Sequence, residues 1–328
     1  MAAGILYSAP ARAQSGSLPA TPPPPPGYAP PGGQASQQDH TIKARVDLVV
    51  LHVSVEDSRG TFVPGLKTTN FRVFEDKVEQ NVAVFSSDDV PVTMGLVIDN
   101  SGSMREKRAQ VNAAALTFVK TSNPQDEVFV VNFNDEFYLD TEDDFTNDQQ
   151  ELNQALSRID ARGSTALYDA IVGSLDHLKK GHKDKRVLLV ITDGEDDASR
   201  MTLPETLRVA EESNAAIYAI GIYSSDDRKN DKREVRRAMK ALTDLTEATG
   251  GQAYFPESLS QVEGICTQVA HDIRNQYLLG YYPTNTAQDG TFRKVDVQLI
   301  PPKGAGKLTV RTRTGYYAPK PPAAGATK

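Results

Sequence analysis

The sequence predicts an α/β fold, a doubly wound and mainly parallel sheet flanked by helices. It also predicts a small β-sandwich-like domain formed by the N- and C-terminal flanks. Two observations carry this expectation. Between Pro91 and Ile273, apolar runs of strand length alternate with amphipathic helical segments, the order that builds βαβ units and parallel sheets. On either side, residues 43–90 and 274–318 show alternating apolar and polar positions between turn residues, the pattern of half-buried strands.

The chain opens with a biased region. Residues 1–13 read as a signal-peptide remnant: Ala2 to Ala9 is short and apolar, and Ala11-Arg12-Ala13 has the small-x-small form of a cleavage site. The basic segment that precedes such a stretch is missing, so the true start is expected upstream. Residues 14–42 are rich in Pro, Gly, Ser and Gln, with Pro22 to Pro26 consecutive, the composition of a polyproline-like linker.

In residues 43–90, Val49, Leu51, Val53 and Val55 alternate along one strand, and Phe71–Phe74 and Val82–Phe85 form two more. Ser58-Arg59-Gly60 and Pro64-Gly65 mark the turns between them. Residues 91–273 hold the α/β domain, with strands at Met94–Ile98, Val128–Phe133, Val187–Ile191 and Ala216–Tyr223. Its helices show apolar stripes at Val111, Ala115, Phe118 and Val119, then Leu152, Ala155, Leu156 and Ile159 after a capping-box-like Asp148 and Glu151. Further stripes run through Leu167, Ile171, Leu175 and Leu178, through Met239, Leu242 and Leu245, and through Val262, Ile265, Cys266, Val269 and Ile273. The acidic stretch Glu136–Phe145 fits an antiparallel edge strand or a loop. In residues 274–318, strands are expected at Gln276–Tyr282, around Val295, Val297 and Leu299, and at Leu308–Arg313. Tyr281, Tyr282, Tyr316 and Tyr317 are expected to pack this β domain or its boundary. Residues 319–328 form a Pro/Ala tail.

Composition narrows the function. Of 328 residues, 39% are hydrophobic and 24% charged, enough for a folded core outside the biased ends. The net charge of −7 argues against generic binding to nucleic acid or anionic membrane. No apolar run is long enough to span a bilayer. The single cysteine, Cys266, precludes an internal disulfide and lies on a helical stripe, where a buried thiol is expected.

The candidate site follows the first strand of the α/β domain. Asp99-Asn100-Ser101-Gly102-Ser103 places a carboxylate and two hydroxyls on alternate positions of a tight loop, a donor set suited to a small hard cation. Ligands of open parallel sheets bind past the carboxyl ends of the strands. Two more oxygen-rich loops stand in such places, Gly163-Ser164-Thr165 before a helix and Thr192-Asp193-Gly194 after a strand. In this ordered trio the chain resembles the von Willebrand factor A domain and its metal-ion-dependent adhesion site, a Rossmann-like fold. The flanking Gln276–Pro283 and Gly315-Tyr316-Tyr317 are similar to the von Willebrand A-related proteins of acidobacteria.

The resemblance implies roles for named residues. Ser101 and Ser103 would bind Mg²⁺ through their hydroxyls, with Mn²⁺ or Ca²⁺ as alternatives. Thr165 would bind directly or through water. Asp99 and Asp193 would balance the charge, and one coordination position would remain for an Asp or Glu carboxylate of a protein ligand. The expected function is then non-enzymatic, cation-dependent protein binding or adhesion by an exported protein, periplasmic or extracellular. Two other readings stand beside it: a structural envelope protein with a stabilising or vestigial metal, and a metal-assisted hydrolase drawing an acid or base from Glu195, Asp196 or Asp197. An aspartyl phosphatase would need an acid where Ser101 stands. A serine hydrolase would need a His in a motif, and His40, His52, His177, His182 and His271 are scattered. The clusters Asp140–Asp144 and Glu195–Asp197 are read as surface loops, with a second cation such as Ca²⁺ as the alternative, Glu195–Asp197 lying at the rim of the metal site. The basic run Arg228–Arg237, interrupted by Asp231 and Glu234, is read as a solvated loop and helix start.

Overall fold

The computed structural model describes residues 48–121, 123–158 and 161–320, with backbone alone at 225–227. The signal-peptide remnant, the linker, Ile159 and residues 321–328 of the tail lie outside the described residues.

The N-terminal flank supplies strands β1 (Val49–Glu56), β2 (Phe71–Glu75), β3 (Val78–Gln80) and β4 (Val82–Ser86). The α/β unit follows as β5 (Val92–Asp99), α1 (Arg108–Lys120), β6 (Glu127–Phe133), β7 (Phe137–Leu139), α2 (Gln149–Ser157), α3 (Leu167–Leu178) and β8 (Lys185–Thr192). It continues with α4 (Leu203–Glu212), β9 (Ala216–Gly221), α5 (Ser225–Asn230), α6 (Lys232–Thr249), β10 (Ala253–Tyr254) and α7 (Val262–Arg274). The C-terminal flank adds β11 (Tyr277–Tyr281), β12 (Phe292–Leu299), β13 (Thr309–Arg311) and β14 (Gly315–Tyr317).

The central sheet has the order β10-β9-β8-β5-β6-β7 and is parallel except for the edge strand β7. All eight residues of β5 are buried, because helices cover both faces. Met94, Leu96 and Ile98 pack with Val111, Phe118, Leu152 and Cys266 of α1, α2 and α7. Val97 points the other way, toward Leu167, Ile171, Ala210, Leu242 and Leu245 of α3, α4 and α6. This two-sided burial explains the unbroken apolar run. Gly95 is required there: a Cβ would meet the Phe129 ring at 2.4 Å and Leu188 at 2.5 Å. From β5 the chain runs to β6 on one side and returns to β8 on the other. The strand order therefore reverses at β5, and a crevice opens past the carboxyl ends of β5 and β8.

The flanks build two further antiparallel sheets, β13-β1-β11-β4 and β14-β12-β2-β3. Each mixes strands from both ends of the chain, with Val49 opposite Tyr281 and Val297 opposite Val73. The two sheets share one core of Leu51, Val53, Phe71, Val73, Tyr277, Leu279, Val295 and Val297. Gln276 leads out of α7 and donates to Ser54 Oγ (3.1 Å) and Tyr218 Oη (3.3 Å), tying this core to β9.

Several local expectations change. Helix α4, which the apolar stripes did not mark, starts at a capping box of Thr202 and Glu205 with a proline in its first turn. At α2, Asp148 caps Gln150 N–H (2.7 Å), but Glu151 accepts from Glu142 N–H (2.9 Å) instead of closing a box. Glu136–Phe145 is part strand and part loop. Tyr281 and Tyr316 both donate to Glu75 Oε2 at 2.8 Å, and Tyr317 lies under the Arg208 guanidinium. Tyr282, by contrast, is exposed. The basic run is split by α5: Arg228 turns inward to the carbonyls of Tyr223 (3.2 Å) and Pro256 (3.0 Å). Cys266 is fully buried, and burial pushes its thiol up to about 12.

His52 of β1 lines a narrow cavity with Ala210, Asn214 and Arg313 at the junction of sandwich and α/β unit. Burial lowers its pKa from 6.5 to about 3, and the charges of Lys185 and Arg313 add to the shift. Below pH 6.5 the unfolded chain takes up this proton while the folded chain does not. Stability is therefore complete above pH 6.5 and declines as pH falls toward 3. Urea unfolding at pH 7 and pH 5 should show His52→Gln losing about 1–2 kcal/mol less than the wild type across that interval.

Candidate metal centre

Asp99 ends β5 with no solvent exposure. Its Oδ1 accepts from Ser101 N–H (2.8 Å) and its Oδ2 from the Thr192 hydroxyl at the end of β8 (2.6 Å). These bonds fix the carboxylate at the strand-order reversal, between two parallel neighbours. Burial first, and the nearby Asp193 carboxylate second, raise its pKa to about 6 against the pull of the Ser101 and Thr192 bonds. The elevation is first a burial effect and second a like-charge effect. The buried Arg108 guanidinium feels the Asp99 charge but is hydrogen-bonded to amide oxygens rather than to the carboxylate.

Ser101 and Ser103 project from the next turn, their hydroxyl oxygens 3.1 Å apart. Ser103 Oγ donates to Asp193 Oδ1 at 2.7 Å. The other oxygen of Asp193 forms an ion pair with Lys107 Nζ. Thr165 arrives on a third loop, held by Thr165 N–H to Asp197 Oδ1 (2.7 Å) and by Asp197 N–H to Thr165 O (3.1 Å). Its hydroxyl lies 3.1 Å from where a Cβ on Gly194 would stand, beside Asp193. Among the described residues that hydroxyl has no hydrogen-bond partner. The loops are locked together by Gly102 N–H to Gly163 O (3.2 Å) and Arg162 N–H to Asn100 O (3.2 Å). Asp135 Oδ1 accepts from Ser164 N–H (2.9 Å) and fills the space over Gly163, which has φ +74°.

All five residues expected from the sequence thus converge on the crevice. The donor set fits a hard divalent cation. Two oxygens about 3 Å apart match neighbouring corners of an octahedron with bonds of about 2.1 Å, as the Ser101 and Ser103 hydroxyls are. A buried carboxylate, Asp99, stands behind them with only neutral hydrogen-bond donors on its oxygens.

Sequence reasoning missed several supporting residues. Thr192 and Asp135 position the loops, and Arg108 is fully buried at the start of α1, bonded to Asn112 Oδ1 (2.8 Å), Asn100 Oδ1 (3.3 Å) and Asn132 Oδ1. Its signal was its place one turn before Val111 on an otherwise apolar stripe. The carboxylates suggested as an acid or base have other partners. Asp196 accepts from Tyr168 N–H (3.1 Å) and Ser199, Asp197 holds Thr165, and Glu195 pairs with Arg237 (3.1 Å). Asp140 and Asp144 pair with Arg158 and Lys180. Among the described residues, no cluster of three or more His, Cys, Asp or Glu side chains could hold a metal ion, the crevice included, where the donors are three hydroxyls and two carboxylates.

Residues 94–195 match the model of the von Willebrand factor type A domain. The α/β unit is a von Willebrand factor A fold. Among solved structures, the chain is similar to a von Willebrand factor type A protein from Catenulispora acidiphila, at 16% identity and a TM-score of 0.47, over 62% of this chain and 50% of that one. It is similar to proximal thread matrix protein 1 of the mussel byssus, a structure with a zinc-occupied metal-ion-dependent adhesion site, at 14% identity and a TM-score of 0.47, over 61% and 49%. The von Willebrand domain of the type V pili tip protein Mfa5 from Porphyromonas gingivalis gives 12% identity and a TM-score of 0.47, over 56% and 95%. The chain spans about half the length of the first two. No curated protein matches the chain.

The A-type unit sets its Thr165 loop by a left-handed glycine. In Gly163→Ala, the new Cβ would meet Asp135 Oδ2 at 2.1 Å in a conformation disfavoured for alanine. The substitution should cost about 1–3 kcal/mol in thermal or chemical unfolding, and Asp135→Ala in the same background should restore part of it.

Proposed function

We propose that this protein binds a protein ligand through a divalent cation at the crevice of its A-type domain, and that it is not an enzyme. Ser101, Ser103 and Thr165 hold the cation through their hydroxyls, and Asp99 and Asp193 supply the balancing charge. Mg²⁺ is the proposed ion, with Mn²⁺ or Ca²⁺ as alternatives. When bound, the cation offers an open coordination position to an Asp or Glu carboxylate of the partner. Neutral hydroxyls at three of the five positions leave it electrophilic enough to attract one. The surrounding loops exclude competing geometries because they are cross-braced through Asn100, Gly102, Asp135 and Asp197.

The observation that supports this reading best is the meeting of Ser101, Ser103 and Asp193, from two separate loops, beside a fully buried carboxylate whose own hydrogen bonds come from neutral donors. Among the described residues no helix is long and apolar enough to cross a membrane. We place the protein outside the cytoplasm, in the periplasm or beyond, on the strength of the small-x-small site at residues 11–13. Residues 14–42 would then be a spacer, followed by a sandwich of residues 43–90 and 274–318 that carries the A-type domain of residues 91–273.

Pull-down from envelope extract should recover a partner with Mg²⁺ and lose it with EDTA. Asp99→Ala should abolish capture while far-ultraviolet circular dichroism stays unchanged. Capture that survives both chelation and the substitution would refute the reading. A cation-induced rise in melting temperature with no partner recovered would point to a purely structural metal.

A further inference from the structure

Lys107 is the charged residue at the site for which metal-dependent binding gives no role. It precedes α1, and its Nζ pairs with Asp193 Oδ2, the Lys107 side chain being 18% exposed and that of Asp193 fully buried. A lysine is strongly hydrated and loses much rotamer freedom when held. Turning it inward against one carboxylate needs a compensating attraction, and the buried Asp193 supplies it. The other oxygen of Asp193 is taken by Ser103. Asp99 differs: its oxygens are met by the neutral donors Ser101 N–H and Thr192 Oγ1. The neighbouring Arg108 is bonded to amide oxygens, not to either carboxylate.

We propose that Lys107 is a tethered competitor of the divalent cation. This rests on the metal-binding reading above and adds a regulatory element to it. In the metal-free chain the ammonium serves as the counter-charge of Asp193. An ammonium and a divalent ion repel one another strongly when crowded onto one poorly solvated carboxylate. Lys107 must therefore withdraw before Asp193 can balance a cation. Because the competitor is part of the chain, its effective concentration is fixed. It weakens the apparent affinity by a constant factor at every cation concentration. The tether thus moves the whole loading curve to higher divalent-cation concentration without changing its shape. The cation still gains from Asp99, which makes no ion pair with Lys107 and takes its hydrogen bonds from neutral donors.

The test is calorimetric titration of the full chain with Mn²⁺ in the wild type, Lys107→Gln, Lys107→Arg and Asp99→Ala. Lys107→Gln should bind Mn²⁺ about tenfold or more tightly than the wild type, and Lys107→Arg should stay near the wild type. Without metal, Lys107→Gln should melt lower, and Mn²⁺ should reverse the loss. A second measurement needs no variant: reductive methylation of Lys107, followed by mass spectrometry, should accelerate when Mg²⁺ is saturating. Binding that depends on Asp99 but is equal or weaker in Lys107→Gln, or a methylation rate indifferent to Mg²⁺, would overturn the competitor role while leaving the metal site standing. Absence of Asp99-dependent binding in both the wild type and Lys107→Gln would instead remove the metal site and the competitor together.

Discussion

A carboxylate without solvent exposure, held at the end of a strand buried on both faces, is the constraint around which this molecule is arranged. Asp99 can sit there because Thr192 on the neighbouring strand and the Ser101 amide meet its two oxygens. Those bonds require β5 and β8 to be adjacent and parallel with their carboxyl ends level. That geometry exists where the strand order reverses. The burial that holds Asp99 also raises its pKa to about 6. The negative charge is therefore held in place by the fold, and the crevice faces it with the Ser101, Ser103 and Thr165 hydroxyls and one further carboxylate, Asp193.

The second constraint lies in the flanks. Neither four-stranded sheet can form from one end of the chain, since β1 needs β11 and β2 needs β12. The A-type unit must bring Pro91 and Arg274 close enough for these pairings, and the descent of α7 into β11 does so. Gln276 and Ser54 carry the sandwich onto the buried face of Tyr218. The junction is on the opposite end of β5 from Asp99, because β5 enters the sheet directly from the β4 side and reaches the crevice at its last residue.

The central strands were legible because burial on both faces demands unbroken apolar runs, and few other structures do. The outer elements were less so. Helix α4 buries only Thr206 and Ala210 fully, so its hydrophobic stripe is faint, and its start is better read from Thr202, Pro204 and Glu205. The five site residues were legible because their loops each carry oxygen donors at strand or helix ends. Their supports were not. The functions of Thr192, Asp135 and Asp197 come from contacts across 93, 29 and 32 residues of sequence, and no local pattern reports such distances. The same limit made Asp196 and Asp197 look like rim acids, when their oxygens in fact hold backbone amides at the start of α3. Lys107 and Arg108, adjacent in sequence, are assigned by the fold to different partners, a carboxylate and three amide oxygens.

Anomalous diffraction from crystals grown with Mn²⁺ tests the site most directly. A single strong peak about 2.1–2.3 Å from the Ser101 and Ser103 hydroxyl oxygens, with Thr165 and Asp193 around it, is the expected result. No peak at the crevice, or a peak at Asp140–Asp144 or Glu195–Asp197 in its place, would contradict it.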